Sequence, residues 1–257
     1  MIRTSLGALI AVAVALAARK AGSLTTSGTI AAAVVGTLTV VAGWAWAILL
    51  LLMFVPATGL SKMGETRKSE LVGSVVEKHG RRDAWQVLAN GGVYMASAVG
   101  SLVFPSQVWY AVASGALAAS AADTWATEIG TLVGGEPVSI ITGKPVPRGT
   151  SGGVTMLGSL AAVGGALFIA LAVTLTRWPV HFAAAALGGI VGALADSLLG
   201  ATLQSRRWCE RCAQSTEREV HACNTRTVHA AGISGFGNDA VNAVCSCVGA
   251  LIGLMVA

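Results

Sequence analysis

The stretch SGALAASAADTWATEIGTLVGG, residues 114–135, would have the composition of a membrane span if two carboxylates were removed. Asp123 and Glu128 lie within it, and the stretch contains no lysine or arginine. An ionisable group at bilayer depth is costly, so it normally faces a partner, water or a bundle interior. The stretch therefore predicts a buried helix whose acids meet something polar or positive.

The rest of the chain has the same apolar character. Its 257 residues are 54% apolar and 11% charged, whereas soluble domains carry about 25% charged residues. Apolar runs approach the roughly 20 residues that a membrane helix needs. We therefore expect an all-α polytopic membrane bundle forming a single domain over residues 1–257. The eight expected spans are 5–18, 27–42, 43–60, 85–104, 108–130, 152–176, 178–203 and 233–256.

The basic residues are concentrated between the expected spans that share one side. Of the 17 lysines and arginines, 15 fall there. The segments concerned are 19–26, 61–84, 131–151 and 204–232. The positive-inside rule makes this side cytoplasmic and places both termini outside, where Arg3 and Arg177 also fall. The net charge of +5 is then a topology signal first, and nucleic acid is not an expected partner.

Two features of the chain leave alternatives open. Residues 1–18 have the basic start and apolar run of a short span, but also of a cleaved secretory signal peptide. LTTSGTIAA at 24–32 resembles VTMLGSLAA at 154–162, and ADTWATEIG at 122–130 resembles ADSLLGATL at 195–203. These pairs are consistent with a weak internal repeat or with chance similarity among alanine- and glycine-rich helices.

Four acids share one predicted depth. Asp123, Glu128, Asp196 and Asp239 all lie within about 12 Å of the cytoplasmic boundary, at 1.5 Å of rise per helical residue. Carboxylates from three spans at one level repel each other unless a cation joins them. Magnesium, which prefers oxygen ligands and usually accompanies phosphates, is the expected cation. The alternative is that these acids pair with each other and with backbone across helices.

Other polar residues lie where they could complete such a site. Asn90, Asn238 and Asn242 are expected near it as supplementary ligands. Lys62 lies with Arg67 and Lys68 in LSKMGETRK at 60–68, where a solvated basic face is favoured over specific phosphate binding. TGKPVPRGTSGGVT at 142–155 resembles a phosphate-binding loop, because its glycines run into a predicted helix start. Its candidate phosphate ligands are Lys144, Arg148, Gly149, Thr150, Ser151, Gly152 and Gly153. A plain Gly/Pro-rich connection is the alternative, because the loop is not a Walker motif.

The cysteines fall into two sets. Cys209, Cys212, His221 and Cys223, in the loop 204–232, have the number, type and spacing of structural zinc ligands. Free thiols with an unrelated histidine are the alternative. Cys245 and Cys247 lie in the last span and are interpreted as small apolar residues.

Five motifs occur in an order that resembles a known family. They are ADTWATEIG, GKPVPRGTSGGVT, ADSLLGATLQ, the CxxC/HxC loop and NDAVN. Together they resemble the integral-membrane family typified by the phytyl-phosphate kinase of chloroplasts and cyanobacteria, long catalogued as a domain of unknown function. Asp123, Ala126 and Gly130 also match a pattern of the CTP-dependent polyprenol and phytol kinases. Leu199 stands where that pattern, repeated after Asp196, has alanine, and Asn224 stands where the family resemblance leads us to expect glycine.

The resemblance implies an enzyme that adds a second phosphate to a prenyl monophosphate, such as phytyl or geranylgeranyl phosphate. CTP or a related nucleoside triphosphate would be the donor, and magnesium would be held by Asp123, Glu128, Asp196 and Asp239. The expected protein is a multi-pass protein of the cell membrane that contacts membrane lipids, has its site facing the cytoplasm, and can be a monomer or a homodimer. Two alternatives are a cytidylyltransferase that makes a CDP-lipid and an ion-coupled transporter.

Overall fold

The computed structural model describes residues 2–78 and 80–257, with side chains in the first helix from Ser5 onward. The side chain of Arg3, which the charge count placed outside, is therefore not among the described residues. The helices are α1 (Ile2–Lys20), α2 (Thr26–Ala42), α3 (Trp44–Lys62), α4 (Glu65–Val72), α5 (Ala84–Val103), α6 (Val108–Val133), α7 (Met156–Leu175), α8 (Phe182–Thr202) and α9 (Asn238–Val256).

Short strands occupy two of the connections between helices. The antiparallel pair β1 (Val138–Ser139) and β2 (Gly153–Val154) closes the loop between α6 and α7. Between α8 and α9, β3 (Arg206–Cys209) pairs antiparallel with β4 (Gln214–Thr216) and β5 (Val228–Ala231). The protein is thus mainly helical, as expected, but the loop 204–232 has a small sheet of its own.

The helical membrane class is confirmed. Within residues 2–78 and 80–257, four helices are long and apolar enough to cross a bilayer, namely α3, α7, α8 and α9. The apolar helix α2 is shorter, at 17 residues. Long helices occupy each of the predicted span positions, but the number that actually cross the membrane stays a prediction.

Three predicted helix starts were too early, because each stretch contains residues that interrupt a helix. Helix α7 begins at Met156 rather than 152, since Gly152 has φ +76° and β2 follows it. Helix α8 begins at Phe182 rather than 178, after Arg177 at φ 57° and a proline. Helix α9 begins at Asn238 rather than 233, because a turn through Gly235 precedes it. The structure also contains the short helix α4, which was not predicted.

Helix α6 is the centre of the bundle and packs against α3, α5, α7, α8 and α9. Its small residues permit this, because they allow neighbouring backbones to approach closely. A Cβ atom added to Gly115 would lie 2.1 Å from the carbonyl oxygen of Gly249 on α9. A Cβ added to Gly192 on α8 would lie 2.4 Å from the Cβ of Ala119. The central helix is therefore held at distances that larger side chains would exclude.

Four aromatic residues from different parts of the chain pack together in the bundle. Trp46 and Trp178 have ring centroids 4.5 Å apart, and Tyr94 and Tyr110 pack against the same cluster. The hydroxyl of Tyr94 donates a hydrogen bond of 2.8 Å to the Trp46 carbonyl. The buried tyrosine hydroxyl is therefore satisfied within the apolar core.

The basic connections meet at one end of the bundle, as the charge pattern predicted. The amide of Thr25 donates to the carbonyl of Arg82 at 3.0 Å, and the amide of Glu217 donates to the carbonyl of Val75 at 2.7 Å. Ser151 in turn donates a hydrogen bond to Glu217. Segments from four separate connections are thus linked. The assignment of this end to the cytoplasm stays a prediction.

One of the two pairs of similar stretches, 24–32 and 154–162, shares a structural feature. Thr25 caps α2 by accepting a hydrogen bond of 3.1 Å from the amide of Gly28, and Thr155 caps α7 by accepting one of 3.0 Å from the amide of Gly158. Threonine is a favoured helix cap. The two stretches therefore start helices in the same way, which fits either duplication or a common local solution.

Candidate functional site

A cavity of about 1110 Å³ opens where the basic connections meet the helix ends. All four acids that the sequence singled out line it, so the predicted convergence is present. The predicted site residues found in its wall are Asn90, Asp123, Glu128, Arg148, Gly149, Thr150, Ser151, Gly152, Gly153, Asp196, Asn238, Asp239 and Asn242. Of the described magnesium and phosphate candidates, Lys62 and Lys144 do not line it.

Asp123 on α6 and Asp196 on α8 form the inner carboxylate pair. Ala119 and Gly192, each one helical turn earlier, make the close contact that brings the two helices together. The two carboxyl groups are neighbours in the cavity wall. Among the described residues, Asp196 Oδ2 is buried without a hydrogen-bond partner. A bound cation would satisfy this oxygen, whereas a proton shared between the two carboxyl groups, the pairing that the sequence left open, would hold the pair without one.

Glu128 has a different environment, because a lysine reaches it. The ammonium of Lys68 lies 2.5 Å from Glu128 Oε2 and also donates to the carbonyls of Leu60 and Ser61, both at 2.8 Å. The Lys68 side chain is only 2% exposed. The sequence-based interpretation of Lys68 as part of a solvated face was wrong, because α4 packs this side chain between α3 and α6.

Asp239 also has a lysine partner. It is the second residue of α9 rather than lying well inside a span, because the helix begins later than predicted. Lys78 lies 2.5 Å from Asp239 and 2.8 Å from Asp83, which caps α5 in a capping box with Gln86. In the described part of the chain, Asp239 Oδ1 remains buried without a partner.

The pKa of Asp83 reflects this arrangement. Burial by itself would raise it, but the hydrogen bonds from Lys78 and from the backbone amides of Gln86 and Trp85 lower the pKa below its usual value. The carboxylate is thus held ionised beside Lys78. This fixes the segment between α4 and α5 at the mouth of the cavity.

The loop between α6 and α7 forms another wall. Gly149 and Gly152 have positive φ, at 81° and 76°, which glycine adopts without strain. A Cβ on Gly152 would lie 2.3 Å from the Cβ of Ala201, so the loop backbone packs directly on α8. The amides of Thr150 and Gly153 already donate to backbone carbonyls within the loop. Not every amide predicted to bind phosphate is therefore free to do so.

Two predicted phosphate ligands lie elsewhere for local reasons. Lys144 follows a turn at Gly143 in the β1–β2 loop, and its side chain is exposed. The ammonium of Lys62, at the end of α3, donates a hydrogen bond to the carbonyl of Ala21. Neither lysine is retained among the candidate phosphate ligands.

Sequence reasoning missed several cavity residues. Lys78 and Arg82 belong to the basic segment 61–84, of which only Lys62 was a candidate phosphate ligand, and both line the cavity. Glu217, inside the cysteine loop, lines it too and accepts a hydrogen bond of 2.8 Å from Gln204. Burial raises the pKa of Glu217, and the hydrogen bond from Ser151 partly offsets this effect. The density of basic residues before α5 was the one signal that could have indicated Arg82.

The cavity continues between α7 and α8 as an apolar branch. Ala162 and Val163 of α7 line it together with Ile190 and Leu194 of α8. Val163 is 37% exposed and Leu194 is 50% exposed. Apolar side chains of two neighbouring helices therefore form part of the cavity wall and remain accessible.

The predicted cysteine cluster is brought together outside the cavity wall. The ligand atoms of Cys209, Cys212, His221 and Cys223 all lie within 4.8 Å of one another. Asn224 has φ 60°, a left-handed conformation that asparagine tolerates better than most residues. Asparagine can therefore stand where the resemblance predicted glycine.

The family described as "Integral membrane protein DUF92" matches residues 9–250, so the chain belongs to this family. The chain is 32% identical to Protein PGR of Arabidopsis thaliana over 229 residues, covering 78% of this chain and 79% of that protein. It is 31% identical to an uncharacterized membrane protein of Methanocaldococcus jannaschii over 210 residues, covering 80% and 85%. No solved structure matches the chain.

A third relative is the chloroplastic protein VTE6 of Arabidopsis thaliana. The identity is 30% over 192 residues, which is 71% of this chain but 57% of that protein. The family agrees with the one that the five ordered motifs resemble. The matched region contains the cavity residues and the cysteine loop, since the family extends across residues 9–250.

Proposed function

We propose that the protein is a magnesium-dependent kinase that transfers a phosphoryl group from CTP, or another nucleoside triphosphate, to a prenyl monophosphate. The product would be the prenyl diphosphate, with phytyl and geranylgeranyl phosphate as representative acceptors. The observation that carries the proposal is the Asp123–Asp196 pair, in which Asp196 Oδ2 has no partner among the described residues, in a cavity with both a cationic wall and an apolar branch. The chain belongs to the DUF92 family. The resemblance of its ordered motifs to prenyl-phosphate kinases supports the same activity.

The acids in the cavity fit magnesium. Asp196 Oδ2 and Asp239 Oδ1 are buried oxygens for which the described residues provide no partner, and hard oxygen ligands are those that magnesium prefers. Asp123, Asp196 and Asp239 would hold the ion. Glu128 is the weakest of the four predicted ligands, because Lys68 already engages its carboxylate at 2.5 Å. When bound, the ion would neutralise charge on the phosphates.

The cationic wall would position the phosphates. Arg148 and Arg82 supply positive charge, whereas Lys78 is already paired with Asp83 and Asp239. Amide groups come to the same cavity from Asn90, Asn238 and Asn242. Phosphoryl transfer depends mainly on positioning and charge neutralisation. The acceptor is a phosphate monoester with a second pKa of about 6, so its attacking oxygen is ionised near pH 7. No dedicated general base is therefore required.

The apolar branch would hold the prenyl chain. A lipid could enter between α7 and α8, where Val163 and Leu194 are both exposed and part of the cavity wall. Its phosphate would then lie at the helix ends, close to water-soluble nucleotide. Carrier sites lie near the bilayer midplane, whereas this cavity includes the first turns of α5 and α9. The geometry therefore favours an enzyme at the membrane interface.

The test is a transfer assay with label at two positions of the donor. Purified full-length protein in lipid nanodiscs would receive magnesium, geranylgeranyl monophosphate, and CTP labelled either at the γ or at the α phosphate. We expect γ label in the lipid and no α label. Lipid carrying α label would indicate a cytidylyltransferase instead. Unlabelled lipid with every nucleoside triphosphate and several acceptor chain lengths would refute the kinase.

A further inference from the structure

The cysteine loop between α8 and α9 contains a compact set of soft ligands that the proposed kinase chemistry does not use. We propose that Cys209, Cys212, His221 and Cys223 hold a structural Zn²⁺ ion that fixes one wall of the cavity. Three thiolates and one imidazole, with a CxxC spacing, are a typical ligand set of structural zinc. Cys209 ends β3 and Cys212 lies in the turn before β4. The inference does not depend on the kinase activity.

The distances within the cluster suit a tetrahedral ion. Cys209 Sγ and Cys223 Sγ are 3.6 Å apart, and His221 Nδ1 lies 3.3 Å from Cys223 Sγ. A disulfide would need a separation of about 2.05 Å. Two thiolates bound to zinc at about 2.3 Å in a tetrahedral site would be roughly 3.8 Å apart. The distance between the two sulfur atoms therefore matches two ligands of one zinc ion rather than a disulfide bond.

Burial in the cluster points to a ligand. Cys209 is fully buried and His221 is 5% exposed. His221 Nδ1 is the ring nitrogen that faces the cysteines, 3.3 Å from Cys223 Sγ. Two of the four ligand side chains are therefore enclosed by the protein, and an ion held by the sulfurs and by Nδ1 would neutralise the charge of the thiolates.

The loop has little apolar core to hold its sheet. Trp208, Val220 and Val228 are 40%, 47% and 48% exposed, and the strands are three or four residues long. Small units of this kind usually need a disulfide or a metal in addition to their apolar contacts. The ion would therefore supply stability that packing here does not.

The sheet is connected to the cavity through β4. Thr216, the last residue of β4, donates through its hydroxyl to the carbonyls of Ser74 and Val75, at 2.8 and 3.0 Å. Glu217 follows directly and lines the cavity, where it accepts from Gln204. An ion that holds β3 and β4 in register would thus also hold Glu217 and the segment before Lys78.

Metal analysis of the full-length protein, purified in detergent without chelator, tests the site. Elemental analysis by mass spectrometry should find about one zinc per chain. Replacement by Co²⁺ should produce the thiolate charge-transfer band of a cysteine-bound cobalt. C212S and C223S should lose the metal, whereas H221C, which retains four ligands, and the matched control C247S on α9 should keep it. Absence of zinc, iron in its place, or zinc undiminished in C212S would overturn the assignment.

A second measurement avoids variants that fail to fold. A mercurial reagent would release zinc from the wild-type protein, and hydrogen exchange would be compared before and after release. We expect faster exchange in residues 73–76 and 214–218, with little change in α1 and α2. A Cys209–Cys223 disulfide found by mass spectrometry would overturn the metal site. Zinc release without faster exchange in those segments would overturn its role in the cavity wall.

Discussion

The two sets of acids in the cavity differ in what neutralises them. Asp123 and Asp196 face each other, and Asp196 Oδ2 has no partner among the described residues. Glu128 and Asp239 each meet a lysine ammonium at 2.5 Å. All four are acids within or beside apolar helices in the sequence. The pair of Asp123 and Asp196 has no lysine partner among the described residues, so it is the better candidate for chemistry, and Glu128 is the better candidate for structure. Asp239 lies between the two, because Lys78 contacts one of its oxygens and the other has no partner in the described part of the chain.

The largest expected effect is on stability at the buried lysine. Lys68→Met leaves Glu128 unpaired and removes the donor to two carbonyls at the end of α3. Removing one partner of a buried ion pair costs about 3–5 kcal/mol, and the 18% exposure of Glu128 favours the lower end. Thermal unfolding in detergent should therefore show a strongly lowered midpoint.

The double variant K68M/E128Q is the control for that experiment. It removes the unpaired charge, so it should recover much of the lost stability. If both variants unfold at the same temperature, the pair contributes through the shape of Lys68 rather than through its charge.

The second prediction concerns the aspartate pair. Asp196→Asn should lower phosphoryl transfer by about 10²–10³-fold, the range seen when a group that stabilises transition-state charge is removed. Its thermal midpoint should not fall, because the change relieves repulsion between neighbouring carboxylates. The assay is γ-label transfer into geranylgeranyl phosphate, together with thermal unfolding.

Glu70→Gln is a suitable control, because this acid is exposed on α4 and does not line the cavity among the described residues. It should retain normal transfer. Full activity in D196N, or a loss of stability as large as that of K68M, would remove the distinction between the two sets of acids.

The third prediction tests the packing that brings the aspartates together. A Cβ on Gly192 would lie 2.4 Å from the Cβ of Ala119, one turn from Asp196 and Asp123. Gly192→Ala should therefore separate α6 from α8, cost about 1–3 kcal/mol, and lower transfer. The matched control is Gly92→Ala on α5, where an added Cβ meets nothing within 4 Å. Equal behaviour of the two variants would show that close packing does not position the pair.

The smallest effect is expected at the more accessible lysine. Lys78 has a side chain that is 34% exposed, so Lys78→Met should cost less than about 1 kcal/mol of stability. Lys144→Met, which changes an exposed lysine outside the cavity wall, is its control and should cost nothing measurable. A loss comparable to that of K68M would mean that both lysine-paired acids are structural to the same degree.

Much of the helical framework was predictable because its causes are local. Thr25 and Thr155 stand where helix caps are favoured, and the apolar runs that follow them form α2 and α7. Convergence of the acids could be predicted from their common distance to the basic connections. The starts of α7, α8 and α9 were predicted too early, because the residues before them belong to a strand or to turns rather than to helices.

The partners of the acids could not be predicted in the same way. Lys68 lies in ETRKSELV, a polar stretch that looks solvated, and it is buried because it reaches Glu128, 60 residues away along the chain. Lys78 reaches Asp239 across 161 residues. Helical periodicity relates only residues three or four positions apart, so it predicts neither of these ion pairs.

The amino-acid sequence alone determined that this is a helical membrane protein with its positive charge at one end. It could do so because placing a charge in lipid is costly, so membrane helices are recognisable from the apolar composition of a single stretch. Tertiary structure decided which acids are neutralised by lysines and which are left facing each other. Ion pairing depends on a few ångströms between distant segments, and those distances exist only once the helices have packed.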